Sequence, residues 1–91
     1  MMGEIKYSDE LRQKNKDLTL ILLYLNSWKE RGFDSLRSWK GYDFGALNEL
    51  SEEGYISEGR RSKSVVLFEE GIEKAKSLLA EYGIEFEEAA K

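Results

Sequence analysis

The chain has 91 residues, of which 41% are hydrophobic and 35% charged, with a formal net charge of −4. That describes one small domain with a single core and little room for a deep substrate cleft. Cysteine and histidine are both absent, which excludes disulfides, thiolate nucleophiles, zinc fingers and imidazole acid–base chemistry.

Other exclusions follow from patterns that are missing. There is no Gly-x-Ser-x-Gly elbow, no phosphate loop, no dinucleotide fingerprint and no calcium-loop spacing of carboxylates. The expectation is a non-enzymatic protein with no cofactor and no metal. No apolar run approaches the roughly 20 residues of a membrane span. The start, Met1-Met2-Gly3-Glu4-Ile5-Lys6, lacks the apolar stretch of a signal peptide. A cytoplasmic protein with no membrane partner is expected.

Residues 1–8 read as a flexible lead-in to a domain over 9–84. Ser8 is positioned as an N-cap, with Asp9 and Glu10 in a first turn that favours negative charge. The pattern predicts a helix from Asp9 to Arg31, stopped by Gly32. Leu18, Ile21, Leu22, Leu25 and Trp28 form one stripe at helical spacing, the predicted core face. Leu20, Leu23 and Tyr24 fall on a flank or the opposite side. A helix apolar nearly all round is buried on more than one face. Either it runs through the centre of the domain, or Leu20, Leu23 and Tyr24 meet a second copy as a homodimer seam.

A very short second helix is predicted over Leu36 to Lys40, capped by Asp34 or Ser35 and broken by Gly41. Asp43 caps a third helix, Phe44 to Glu53, with Phe44, Leu47 and Leu50 on one side and Gly54 as its stop. Tyr55 to Glu58 and Ser64 to Leu67 read as two strands around a basic tip, Gly59-Arg60-Arg61-Ser62-Lys63. The last helix runs from Glu69 to Tyr82. Its apolar stripe is Ile72, Ala75, Leu78, Leu79 and Tyr82, and Gly83 stops it. Ile84 and Phe86 are positioned to fold back on the domain, and 85–91 reads as an acidic tail.

The segment Leu50…Gly54-Tyr55-Ile56…Lys63-Ser64-Val65-Val66-Leu67…Glu70-Gly71 is similar to the closing part of bacterial winged-helix regulators. That resemblance implies a mainly α fold with a small β-hairpin wing, a winged helix-turn-helix. More narrowly, Lys14-Asn15-Lys16-Asp17 and Arg37-Ser38-Trp39-Lys40-Gly41-Tyr42-Asp43-Phe44 resemble a small family of short bacterial proteins filed as a domain of unknown function. The resemblance spans residues 14 to 82 and implies no particular activity.

Charge is uneven along the chain. Residues 1–41 carry eight Lys/Arg against six Asp/Glu, whereas residues 68–91 carry three against seven. A basic front half and a basic wing point to double-stranded DNA and a transcription-associated role. The candidate contacts are Arg37, Lys40, Tyr42, Asn48, Arg60, Arg61 and Lys63. The bland alternative places Trp39 and Phe44 in the core, Gly41 in a turn, Asp43 on its own helix as a cap, and leaves the wing charged for solubility. The functional alternative belongs to a second class. Glu49 and Glu52 lie on the outward side of the predicted reader helix, where they repel phosphate, and suit a protein-interaction module instead.

Overall fold

The computed structural model describes residues 6, 8–29, 36–59 and 62–87. Helix α1 (Asp9–Leu25) opens at Ser8, whose Oγ accepts from the Leu11 amide at 3.1 Å. It closes at Leu25, well short of the predicted Arg31. The cause is local. The backbone and side-chain amides of Asn26 both donate to the Leu22 carbonyl, and Ser27 Oγ donates to the Tyr24 carbonyl at 2.6 Å. The Asn26 amide bond is the last of helical type, whereas Ser27 turns its amide as well as its hydroxyl to the Tyr24 carbonyl, which would otherwise accept from Trp28. The chain turns instead into strand β1 (Trp28–Lys29). Gly32, the predicted stop, lies outside the described residues.

Residues 36 to 40 are not a helix either. Leu36–Trp39 form strand β2, paired on one side with β1 and on the other with β4 (Ser64–Leu67). Five residues are too few to nucleate a helix, and a neighbouring strand offers their backbone a full ladder. Helix α2 (Phe44–Glu52) starts where expected, with Asp43 Oδ2 accepting from the Ala46 amide at 3.0 Å. It ends at Gly54, whose φ of +83° needs glycine. Strand β3 (Ile56–Glu58) and β4 form the predicted hairpin, and α3 (Glu69–Glu81) ends at Gly83, φ +72°. The architecture is three helices plus one four-stranded antiparallel sheet, in the order β1-β2-β4-β3. A single helix stands between β2 and β3, where a helix-turn-helix has two.

The core joins Leu20, Ile21, Leu23, Leu47, Leu50, Ile56, Val65, Leu67, Ala75, Leu78 and Leu79. All three helices contribute, so all three pack against the same side of the sheet. The face that α1 presents to them shares Ile21, 3% exposed, with the predicted stripe but is otherwise different. Leu20 and Leu23 are 1% and 0% exposed, whereas Leu18, Leu22 and Leu25 are exposed. The homodimer seam assigned to Leu20 and Leu23 is therefore occupied by the protomer's own core, and Tyr24 is half-buried against it.

Two further contacts fix the layers. Lys16 of α1 is buried and donates to Glu53 Oε2 at 2.6 Å, with Glu49 Oε1 3.7 Å away, which ties α1 to the end of α2. Burial pulls its pKa down. The hydrogen bond to Glu53, with the charges of Glu53, Glu49 and Asp17, outweighs that and holds it above the ordinary value. Gly71 sits against the Tyr55 carbonyl so closely that a Cβ would collide with it. At the far end of the chain Phe86 meets Tyr24 edge to face, 6.4 Å between centroids, the fold-back expected of this segment. No helix among the described residues is long and apolar enough to cross a membrane.

Candidate nucleic-acid interface

Successive residues of a strand point to opposite faces. In β2 this sends Leu36 and Ser38 toward the core and Arg37 and Trp39 away from it. In β4 it sends Val65 and Leu67 inward and Ser64 and Val66 outward. The register then builds an outer row across all four strands: Trp28, Arg37, Val66, Ser57. Trp39 and Ser64 form the next row. Among the described residues the helices occupy the other face; on this one Trp39 is exposed, Trp28, Arg37, Val66 and Ser57 are half-buried, and Ser64 is 7% exposed.

Both tryptophans of the chain lie here. Trp28 and Trp39 are in contact at 4.8 Å between centroids, tilted by 43°. Trp28 is half-buried, while Trp39 is 61% exposed. Trp39 was expected in the core, as was Phe44, which is 73% exposed. For Trp39 the reason is the change from helix to strand, because period-two alternation puts it beside Arg37. Phe44 is the first residue of α2, just after its cap, and only Ala46, Leu47 and Leu50 of that helix reach the core.

Arg37 lies along the outer row. Its Nε donates to Ser64 Oγ at 3.1 Å and its Nη2 to Ser62 Oγ at 3.4 Å. Those hydroxyls orient the guanidinium across β4. One step beyond Trp39, the Lys40 amide donates to the Lys63 carbonyl at 3.1 Å, and Lys40 Nζ donates to the Gly59 carbonyl at 2.8 Å. The hairpin thereby brings Lys40 and Lys63, distant in sequence, to the same end of the sheet. Arg60 and Arg61, which follow Gly59 in the sequence, lie outside the described residues.

Of the predicted contacts, the fold brings together Arg37, Lys40 and Lys63. Tyr42 is half-buried against the core. Asn48 is exposed on α2, in the helix layer, and shares that helix with Glu49 and Glu52. Sequence reasoning missed the two tryptophans as surface groups. The available signal was the alternation Leu36-Arg37-Ser38-Trp39, which fits a half-buried strand as well as a short helix.

Charge follows the same division. Segments 28–41 and 56–67, which carry the strands, hold Lys29, Arg31, Arg37, Lys40, Arg60, Arg61 and Lys63, half of the chain's fourteen cations. They hold only Glu30, Asp34 and Glu58 of its eighteen carboxylates. The excess negative charge sits on α2, α3 and the C-terminal segment. A cleft of about 290 Å³ between α1 and the start of α2 is lined by Arg12 and Asn15 but also by Asp43 and Glu49. Asp43 fills the helix-terminal anion position with its own carboxylate.

Residues 11–85 match the family model described as "Domain of unknown function (DUF6429)". The "Uncharacterized protein y4hR" of Sinorhizobium fredii is 36% identical over 66 residues, covering 71% of this chain and 82% of that protein. No solved structure matches. The expected resemblance to a family of unknown function is thus shown, and this chain belongs to the DUF6429 domain family.

Proposed function

We propose that the protein is a nucleic-acid-binding domain whose contact surface is the outer sheet face and its hairpin end. The observation that carries this is the exposed Trp39, in contact with Trp28 and two residues from Arg37 on the same strand face, with Lys40 and Lys63 adding positive charge at that end of the strands. Exposed aromatics on a sheet beside cations suit a ligand with flat bases and a phosphate backbone. A net acidic protein can bind phosphate when its charges are segregated onto separate faces.

The winged-helix form of this proposal, with duplex DNA and a transcription-associated role, keeps the hairpin and the predicted reader helix, α2, but lacks the short helix before it. The outward Asn48 of α2 is accompanied by Glu52, and α2 carries no Lys or Arg. The hairpin and the sheet are the stronger candidates for contact.

The test is binding of a labelled oligonucleotide at several salt concentrations. Each phosphate-contacting cation adds about 0.7–0.9 to the slope of log affinity against log salt. Arg37→Ala/Lys40→Ala/Lys63→Ala is expected to reduce that slope by roughly 2–3 and to weaken binding to every sequence alike. A slope that the triple variant leaves unchanged would remove this face from the account.

A second reading, a protein contact, has its own support. Leu18, Leu22 and Leu25 are 45%, 43% and 51% exposed, and with Leu11 and Asn15 they follow the alternating spacing of four and three that marks a helix–helix seam. This stripe lies on the side of α1 away from the core and suits a second copy of the chain.

A further inference from the structure

We infer that the ligand of the sheet face is single-stranded nucleic acid, with an unpaired base stacked on the exposed part of the Trp39 ring; this rests on the nucleic-acid reading above. One side of the Trp39 ring is against Trp28, and the residue as a whole remains 61% exposed. A base placed on the exposed part of the Trp39 ring adds to an existing aromatic contact. In a duplex the base faces are covered by their neighbours, and only groove edges and backbone are within reach.

The cations fit the same ligand. Arg37 and Trp39 are two residues apart on one strand face, about 6–7 Å. A backbone running along β2 can therefore meet Arg37 while a neighbouring base lies on Trp39. Lys40 and Lys63 lie one residue beyond Trp39 and Ser64, where the alternation turns them from this face, and they add positive charge at the end of the strands. The Ser64 and Ser62 hydroxyls hold the guanidinium in the plane of the row, so the arginine is placed before a ligand arrives.

The chain reports on this site directly, since its two tryptophans are both in it. The experiment titrates the full chain with an oligothymidylate of about fifteen nucleotides, its uridylate counterpart, and a duplex of the same length at low salt. Intrinsic fluorescence and anisotropy are read together. Both single strands are expected to quench tryptophan emission and to bind at least about tenfold more tightly than the duplex. Trp39→Ala is expected to weaken single-strand binding by about five- to one-hundred-fold, the range for loss of one base–aromatic stack, and to change duplex binding by less than about twofold. Trp39→Phe is expected to recover much of the loss. Unchanged melting of both variants, expected for a residue this exposed, separates lost stacking from lost fold.

Duplex binding equal to or tighter than single-strand binding, or indifference to Trp39→Ala, overturns the inference and leaves the nucleic-acid reading standing. No binding of any of the three overturns both. A difference between thymidylate and uridylate, which differ in the 2′-hydroxyl and the C5 methyl group, shows that the site distinguishes single strands and supports the inference in either direction.

Discussion

Lys16 of α1 donates a 2.6 Å hydrogen bond to Glu53, the residue that closes α2, and the two side chains are 8% and 42% exposed. One partner of the pair is thus removed from water and the other is not. Glu53→Ala leaves the buried ammonium with only the longer contact to Glu49, 3.7 Å away. The expected loss is about 1–3 kcal/mol, below that of a fully buried pair because Glu53 is partly solvated. Chemical denaturation at neutral pH measures it.

The same pair sets a pH dependence. The folded-state pKa of Lys16 lies above its ordinary value of 10.5. Its contribution to stability is therefore complete below 10.5 and is lost as pH rises through the folded value. The stability difference between the wild type and Lys16→Met is expected to stay constant from about pH 6 to 9 and to shrink in strongly alkaline buffer. Paired melts across that range check it, and a difference that changes most near neutrality would contradict the assignment.

Gly71 is required by contact and not by backbone angle. It lies in the first turns of α3, and its missing Cβ lets the helix approach the Tyr55 carbonyl, which also accepts from the Phe68 amide at 3.0 Å. Gly71→Ala improves helix propensity and is nevertheless expected to destabilise by about 1–3 kcal/mol, because backbone must move. Thermal melting decides between the two effects.

The faces of α1 give a paired prediction. Leu23→Ala empties a fully buried site and is expected to cost about 2–5 kcal/mol. Leu22→Ala, one residue away, changes protomer stability by less than about 0.5 kcal/mol. Leu22→Glu tests the seam. If the stripe joins two copies, light scattering shows a dimer that this variant converts to monomer. A wild-type monomer at high concentration would dismiss the seam.

Ser38 is 1% exposed on the inner face of β2, and its Oγ has no hydrogen-bond partner among the described residues. Ser38→Ala removes an unsatisfied hydroxyl at almost no change of volume. It is expected to leave stability unchanged or raise it by up to roughly 2 kcal/mol, measured by denaturation.

Much of this fold is written locally. Ser8 and Asp43 cap their helices as their side chains dictate, Gly54 and Gly83 stop them, and the stripe from Ile72 to Tyr82 faces the core. The errors lie where distant residues decide. Leu36-Arg37-Ser38-Trp39 fits a helical turn or a strand, and only pairing with Ser64–Leu67 selects the strand. From Leu18 to Leu25 apolar residues surround the helix axis, so sequence spacing alone does not choose the buried side. The site divides in the same way. Arg37, Lys40 and Lys63 were identifiable by charge, but Trp28 and Trp39 became surface groups only when β1 and β2 replaced helix.

The central claim, that the outer sheet face is the ligand surface, is tested most directly by ¹H–¹⁵N NMR of the full chain with and without oligothymidylate. The two indole N–H signals belong to Trp28 and Trp39. Both are expected to shift, together with the amides of Arg37, Ser57, Lys63 and Val66, while Asn48 and Glu52 of α2 stay in place. Shifts confined to α2, or an unchanged spectrum at millimolar ligand, would contradict it.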